Sequence, residues 1–251
     1  MTRTAIITGA GSGIGAATAK RFAEDGWNVV LNGRTHDKLD AVAGELPEMG
    51  VRVVEGDVSK PDDAERLVTE AVESFGGLTC LVNNAGIARG GVPGELSHED
   101  FDAQMRINVG GIFNCVTAAL PELKKADGAC IVNTSSVSGL GGDWSMFGYN
   151  ASKGAVSNMT RAMALDLAPD IRVNAVAPSL TRTDMSSGIR DNDDLMARFT
   201  DRIPMGRGAE PEDIASVIAF LASADAGFVN GVVLPVDGGL SASNGQPNFS
   251  A

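Results

Sequence analysis

The 251-residue sequence has few of the residues that common metal and nucleophile sites require. Its three cysteines, Cys80, Cys115 and Cys130, show no CxxC spacing, which suits reduced thiols acting as small apolar side chains. Its two histidines, His36 and His98, are not close in sequence to another plausible ligand or nucleophile. We therefore expect neither a metal site nor a histidine-based triad.

Positive charge is also scarce. The chain carries 32 acidic and 20 basic residues, for a formal net charge of −12. Nucleic acid and anionic lipid both require a basic surface, so neither is an expected partner. No uncharged apolar run is long enough to span a bilayer, and the first apolar run begins at Thr4 with no signal-peptide pattern ahead of it. We expect a soluble, cytoplasmic protein.

Short apolar runs rich in β-branched residues alternate with longer segments of helical periodicity. This alternation predicts a doubly wound α/β fold, with a parallel sheet covered by helices on both faces. We expect one domain over residues 1–251, with a polar, variable substrate loop at about 181–207. The predicted strands are seven: 4–8, 28–32, 51–55, 79–83, 129–133, 171–176 and 231–236.

A glycine-rich turn, TGAGSGIGAA, joins the first predicted strand to the first predicted helix. Glycine lets the backbone turn sharply and approach a ligand closely, and the N–H groups at a helix start favour an anion. The turn lacks the Lys-Ser/Thr ending of a triphosphate-binding loop, so it predicts a dinucleotide site. Its expected cofactor contacts are Gly9, Gly11, Ser12, Gly13, Ile14 and Gly15.

The end of the second strand predicts which dinucleotide binds. Sites for NAD commonly place a carboxylate there for the ribose 2′-hydroxyl, whereas sites for NADP place an arginine for the 2′-phosphate. Here Asn32 and Gly33 stand where an acid would be expected, and Arg34 follows. A guanidinium binds phosphate in a bidentate manner, so we expect NADP(H) to be favoured over NAD(H).

The only tyrosine of the chain, Tyr149, lies four residues before Lys153. On a helix this spacing places both side chains on one face. A cation about 4 Å from a phenol contributes roughly 4 kcal/mol at an effective dielectric constant of 20, which would lower the phenol pKa by up to about three units. The pair thus predicts a tyrosine that can exchange a proton with an alcohol or ketone.

Several motifs in register resemble the short-chain dehydrogenase/reductase family over nearly the whole chain. They are TGAGSGIG, NNAG at 83–86, Asn108 in RINVGG, Ser136 in NTSSVSG, and YNASK. Ser136 lies thirteen residues before Tyr149, as the family pattern requires. The resemblance implies a Rossmann fold and reversible hydride transfer between nicotinamide and a CH–OH group.

The resemblance also implies roles for the matching residues. Ser136 would hydrogen-bond the substrate oxygen, with Ser135 the less favoured choice. Tyr149 would be the general acid/base. Lys153 would lower the pKa of the phenol and hold the nicotinamide ribose. Asn108 would anchor a water that links Lys153 to solvent.

Further cofactor contacts follow from the same resemblance. Asp57, which could equally cap a turn, would meet the adenine, and other residues would line the rest of the cofactor. The family commonly has Pro-Gly after the sixth strand, whereas this chain has Pro178-Ser179, so the loop over the nicotinamide is expected to differ. The implied cofactor contacts are Asp57, Val58, Asn84, Ala85, Gly86, Tyr149, Lys153, Pro178 and Thr183.

Within the family, the segment before Tyr149 and the C-terminal VDGGLSASNGQP look most like bacterial 2,3-butanediol dehydrogenases and acetoin or diacetyl reductases. A small secondary alcohol, diol or ketone is therefore the expected substrate. Leu140, Trp144 and Phe147 could line a small apolar pocket or could be packing residues.

Two alternatives remain open. The chain could be a 3-oxoacyl-[acyl-carrier-protein] reductase, which would need basic residues near the pocket mouth, such as Arg89, Arg106 and Arg182. It could also be an NADP-binding regulatory protein without turnover. The family resemblance further implies a homotetramer, built partly from the long helices near His98 and Tyr149 and from the last strand.

Overall fold

Seven parallel strands form one sheet in a computed structural model that describes residues 3–47 and 50–246. The strand order is β3-β2-β1-β4-β5-β6-β7. Each strand lies within three residues of its predicted position, so the predicted parallel sheet is confirmed. The strands are β1 Thr4–Thr8, β2 Asn28–Gly33, β3 Val51–Glu55, β4 Cys80–Asn83, β5 Cys130–Thr134, β6 Arg172–Pro178 and β7 Val233–Val236.

Helices cover both faces of the sheet. Successive strand residues point to opposite faces, so Ile6 packs into one apolar cluster while Ala5 and Ile7 pack into another. This is why the inner strands are apolar at nearly every position. The helices are α1 Gly13–Glu24, α2 His36–Ala43, α3 Pro61–Phe75, α4 His98–Met105, α5 Gly111–Leu123, α6 Phe147–Asp166, α7 Ser187–Arg190, α8 Asp193–Arg202 and α9 Pro211–Ala222.

The sheet order reverses between β1 and β4. From β1 the chain winds outward to β2 and β3, then returns to β4 on the other side of β1 and continues to β7. Loops leaving β1 and β4 therefore diverge and leave a crevice at the carboxyl ends of these strands, which is where doubly wound folds bind ligands. The glycine-rich turn and the NNAG segment both lie at this crevice.

The polar stretch 181–207, expected to be a variable loop, contains two short helices, α7 and α8. Asn192 is the N-cap of α8, and its side chain accepts a hydrogen bond from the Leu195 N–H at 3.0 Å. Asp193 and Asp194 in the first turn add favourable charge at the helix start. The capping side chain and the charges of the first turn therefore stabilise a helix in a segment that has few apolar residues. Within residues 3–47 and 50–246, no helix combines the length and apolarity needed to cross a membrane.

Candidate active site

The glycine-rich turn between β1 and α1 leaves no room for side chains at two positions. A Cβ on Gly15 would overlap the carbonyl oxygen of Gly9. Gly13 has φ of 53°, and a Cβ there would lie 2.8 Å from the methyl group of Thr183. Ser12 has extended backbone and directly precedes α1, so the N–H groups at the helix start border the crevice. The turn therefore forms a backbone cradle of the kind that holds a pyrophosphate.

Hydrogen bonds fix this turn to the loop after β4. The Thr8 hydroxyl accepts the backbone N–H groups of Asn84 and Ala85, both at 3.0 Å. The Asn84 side chain donates to the carbonyl oxygens of Thr8 and Gly9, at 3.0 and 3.3 Å. The amide of Asn84 thus holds the turn in place, so its predicted contact with a cofactor is accompanied by a structural role.

Close to the end of β2 lies a buried amide, Asn32, and an exposed guanidinium, Arg34, follows the strand. Asn32 donates to the carbonyl oxygens of Val54 and Gly56, but its Oδ1 is buried without a hydrogen-bond partner among the described residues. Arg34 is exposed and forms no ion pair within residues 3–47 and 50–246. The Arg34 guanidinium is thus free to bind an anion.

Asp57 and Val58, which are predicted to contact the cofactor, also make contacts within the protein. Asp57 Oδ1 accepts the Ser59 N–H at 2.9 Å, as a turn-capping aspartate does. The Val58 side chain is buried against Gly111, and its carbonyl oxygen accepts from Asn114 at 3.0 Å. Any contact between Val58 and a cofactor would thus come from its N–H group.

Tyr149 and Lys153 lie on α6 as predicted, with the lysine Nζ 5.8 Å from the centroid of the phenol ring. Burial nevertheless raises the pKa of Tyr149, and the negative charge of Asp143 adds to the rise, while the Ser136 hydroxyl acts against both. The lowering expected from Lys153 is not seen in the chain by itself and stays a prediction for the enzyme with bound cofactor. Desolvation of the phenol outweighs the distant amine.

Lys153 is itself buried, and this lowers its pKa to about 8. Its amine donates to the carbonyl oxygen of Thr134 at 2.7 Å. Gly86 lies next to it, because a Cβ there would be 3.6 Å from Nζ and 3.1 Å from Asn108 Oδ1. The structure therefore brings Gly86, Asn108 and Lys153 together, next to Tyr149.

The two adjacent serines at the end of β5 have different surroundings. The Ser135 hydroxyl donates to the Lys153 carbonyl oxygen at 3.1 Å and pairs with Ser157 at 2.7 Å, inside the protein. The Ser136 hydroxyl faces Ser138 at 3.0 Å and the Pro178 carbonyl oxygen at 3.4 Å, close enough to the phenol to lower its pKa. This geometry favours Ser136 over Ser135 for substrate contact.

Asn108 lies in a π-helical turn, Arg106–Gly110, that joins α4 to α5. Its side chain accepts the Ile87 N–H at 2.8 Å and donates to the Ile87 carbonyl oxygen at 2.9 Å and to Ser152 at 3.0 Å. The side chain thus ties the loop after β4 to α6. Both of its amide N–H bonds are used, so a water held by this residue would bind its backbone or the second lone pair of Oδ1. Such π-turns are frequent at functional sites.

The remaining predicted contacts differ in exposure. Pro178 ends β6 and is buried, and the Thr183 methyl group lies over Gly13. Trp144 is 97% exposed, and Phe147 stacks on Phe101 with ring centroids 6.2 Å apart. Trp144 is thus not packed in the structure of this chain, whereas Phe147 is partly a packing residue.

Sequence reasoning missed two residues beside the predicted catalytic group, Ser138 and Asp143. The Ser138 hydroxyl donates to the Asp143 carboxylate and accepts from Ser136. The available signal was an acid, Asp143, in the glycine-rich segment between Ser136 and Tyr149.

Comparisons with known proteins identify the family of the chain. A family model described as enoyl-(acyl carrier protein) reductase matches residues 9–241. A short-chain dehydrogenase/reductase of the glucose/ribitol dehydrogenase type from Brucella melitensis has a crystal structure 38% identical in sequence, with a TM-score of 0.91 over 95% of this chain and 96% of that chain. The chain belongs to the short-chain dehydrogenase/reductase family. It is an oxidoreductase that acts on alcohols or ketones.

Two other relatives bear on cofactor and substrate. Meso-2,3-butanediol dehydrogenase of Serratia marcescens is 47% identical over 252 residues, covering 98% of each chain. The 3-ketoacyl-(acyl-carrier-protein) reductase of Brucella melitensis, solved in complex with NADH, is 38% identical, with a TM-score of 0.89 over 95% of this chain and 98% of that chain. These short-chain dehydrogenase/reductases thus include enzymes of different substrates.

Proposed function

We propose that this enzyme interconverts a small secondary alcohol or vicinal diol, such as 2,3-butanediol, with its ketone, and that it favours NADP(H). The observation that carries the proposal is the convergence of Ser136, Tyr149 and Lys153 beside the glycine-rich cradle. The 47% identity to a meso-2,3-butanediol dehydrogenase supports the substrate class.

The protein side chains manage the proton and the substrate oxygen. Bound nicotinamide supplies or accepts the hydride at the reacting carbon. Ser136 holds the substrate oxygen by a hydrogen bond, and Tyr149 gives this oxygen a proton during reduction or takes one from it during oxidation. Because burial raises the pKa of the phenol, the chain by itself keeps Tyr149 protonated, which suits reduction.

Lys153 and Asn108 support this proton transfer. With a pKa of about 8, Lys153 is charged at neutral pH and can donate hydrogen bonds to the ribose. Its positive charge opposes the desolvation of a developing phenolate. The backbone of Asn108, in its π-helical turn, would hold the water that connects Lys153 to solvent.

Arg34 supports the preference for NADP(H). It is exposed, beside the start of α2, and Asn32 and Gly33 bring no carboxylate to the same position. The free guanidinium can bind a 2′-phosphate, whereas a ribose 2′-hydroxyl would find no carboxylate at either of these two positions. We propose that the remaining cofactor contacts are the residues given for this role in the sequence analysis.

Action on a substrate attached to a carrier protein is less favoured. Such a carrier would need free positive charge at the mouth of the site. Arg89 lies 3.5 Å from the Asp100 carboxylate, and Arg182 lies 3.4 Å from Glu210. Two of the three candidate arginines are therefore already neutralised.

We also propose that the chain acts as one domain, in the cytoplasm, as a homotetramer. Large apolar side chains are exposed on α5, on α6, on α9 and in the segment between α9 and β7, namely Phe113, Leu165, Phe220 and Phe228. Surfaces of this kind mark contacts between subunits. Light scattering coupled to size-exclusion chromatography should give four times the mass of the chain.

The test is a panel of carbonyl compounds, each assayed with NADPH and with NADH by following absorbance of the reduced nicotinamide. Diacetyl and acetoin should be reduced faster than an acetoacetyl thioester, and NADPH should give the higher kcat/KM. A clear preference for the thioester would replace the substrate assignment. A clear preference for NADH would remove the role of Arg34.

A further inference from the structure

The segment between β5 and α6 is attached firmly to the protein although much of it is exposed. The Asn150 side chain holds the backbone of Asp143 from both sides, donating to its carbonyl oxygen at 2.9 Å and accepting its N–H at 3.3 Å. Gly91 donates to the Ser145 carbonyl oxygen at 2.7 Å. Asp143 is therefore held at a fixed place against the first turns of α6, the helix that carries Tyr149.

A line of hydrogen bonds leads from Asp143 to the predicted substrate contact. The Ser138 hydroxyl donates to the Asp143 carboxylate, and the Ser136 hydroxyl donates to Ser138 at 3.0 Å. The backbone N–H of Ser138 also donates to the Ser136 oxygen, at 3.1 Å. Both serines are buried, with exposed fractions of 7% for Ser136 and 4% for Ser138.

The direction of these bonds follows from the chemistry of the groups. A carboxylate can only accept hydrogen bonds, and a serine hydroxyl has one proton to give. Because Ser138 gives its proton to Asp143, its oxygen can only accept. The Ser136 proton can therefore go to Ser138, to the Pro178 carbonyl oxygen or, when substrate binds, to a ketone oxygen. The Ser138 N–H and the Ser138 hydroxyl, which the carboxylate orients, therefore hold the Ser136 oxygen in position, while its proton can turn to the substrate oxygen.

We propose that Asp143 is a positioning residue that orients Ser136 through Ser138 and, by its negative charge, holds the Tyr149 phenol in its protonated form. The inference rests on the proposed acid/base role of Tyr149. It implies that the chain is set to deliver a proton to a ketone at neutral pH, and that oxidation of an alcohol requires a more alkaline solution.

Among the charged groups near α6, Asp143 is the one whose charge raises the pKa of Tyr149. Lys153, on α6, has the opposite sign. Asp100, on α4, pairs with Arg89. Arg172, the first residue of β6, donates to the Leu221 carbonyl oxygen at the amino end of the strand, opposite the crevice. The remaining charged side chains of α4 and of the π-helical turn are exposed: His98, Glu99, Asp102 and Arg106. The rise in the pKa of Tyr149 accordingly includes Asp143 as its one charged cause.

The chain offers a direct measurement, because Tyr149 is its only tyrosine. Ionisation of this phenol can be followed by near-ultraviolet absorbance during a pH titration, without substrate or turnover. Asp143→Asn keeps an acceptor for Ser138 but removes the charge, so we expect the titration midpoint to fall by roughly half a unit or more. Asp127→Asn is the matched control and should leave the midpoint unchanged. Asp127 lies in the exposed turn before β5, at the amino ends of the strands and opposite the crevice.

Ser138→Ala separates the two parts of the proposal. It breaks the link to Ser136 but leaves the charge, so the phenol midpoint should stay near that of the wild type while kcat for acetoin reduction with NADPH falls about tenfold. In Asp143→Asn, kcat for reduction should decline at lower pH than in the wild type. Oxidation of 2,3-butanediol with NADP⁺ should rise at lower pH.

The outcomes distinguish this inference from the proposed function. An unchanged phenol midpoint in folded Asp143→Asn protein would overturn the electrostatic part, and wild-type kcat in Ser138→Ala would overturn the positioning part. Absence of turnover in the wild-type protein with every carbonyl tested would instead count against the proposed substrate, while the titration of Tyr149 would still test Asp143. Circular dichroism of each variant establishes that it is folded.

Discussion

Backbone groups shape the cofactor end of the crevice, whereas side chains shape its substrate end. At the cofactor end, residues 8–15 and 82–86, glycines and peptide groups approach one another so closely that Gly15 tolerates no Cβ. At the substrate end, residues 136–153, Ser136, Ser138 and Asp143 are joined through their side chains. Substitutions should therefore damage structure and binding at the first end, and chemistry at the second.

The strongest test of this difference is Tyr149→Phe. It removes only a hydroxyl group at the substrate end, so we expect kcat to fall by two orders of magnitude or more, on the usual scale for acid/base catalysis. Thermal unfolding and NADPH binding should stay close to those of the wild type. Turnover near the wild-type rate would exclude Tyr149 from proton transfer.

At the cofactor end, Gly15→Ala should have the opposite pattern. The added methyl group meets the Gly9 carbonyl oxygen, and backbone must shift to make room, so we expect a loss of about 1–3 kcal/mol in stability. NADPH binding, measured by fluorescence titration, should weaken in parallel. Gly77→Ala is the matched control, because a Cβ on Gly77 meets nothing within 4 Å. Equal behaviour of the two variants would contradict a close-packed cradle.

These two ends also differ in how far the sequence predicts them. The sheet could be predicted strand by strand, because strands covered by helices on both faces are apolar at nearly every position, as in the centres of β1 and β5. The glycine turn and the Tyr149–Lys153 pair were predictable because each depends on local spacing. The raised pKa of Tyr149 was not, since it depends on burial by distant segments. The Ser136–Ser138–Asp143 line was missed for the same reason: spacing does not reveal hydrogen bonds within a loop.

Lys153 lies between the two ends of the crevice, and burying its charged amine should lower the stability of the folded protein. Its folded pKa is about 8, below the value of about 10.4 for an exposed lysine, so between these values the unfolded chain binds the proton and the folded chain does not. Stability of the wild type should therefore rise with pH across this window, relative to Lys153→Met, by about 1–3 kcal/mol. Urea unfolding of both proteins from pH 7 to pH 10 measures it, and parallel curves would contradict a depressed lysine pKa.

Substitution of Arg34 tests whether a side chain contributes to binding at the cofactor end, which is otherwise formed by backbone groups. In Arg34→Ala we expect kcat/KM with NADPH to fall about tenfold, because a charge-assisted bond to phosphate is lost, while kcat/KM with NADH changes little. Lys124→Ala, at the exposed end of α5, is a control that removes equal charge far from the crevice. An equal loss with both cofactors would show that Arg34 does not recognise the 2′-phosphate.

The smallest effect is expected from an ion pair that joins the two sides of the crevice. Lys38, on α2, lies 3.2 Å from the Asp184 carboxylate in the segment after β6, and both side chains are more than half exposed. Exposed pairs contribute at most about 1 kcal/mol, so Lys38→Met and Asp184→Asn should each raise the KM for NADPH by no more than about fivefold. High salt should abolish the difference from the wild type, because it screens surface charges. If the double variant were no worse than either single variant, the contact would be one interaction that closes the crevice over the cofactor; additive losses would mean that each charge acts on the cofactor separately.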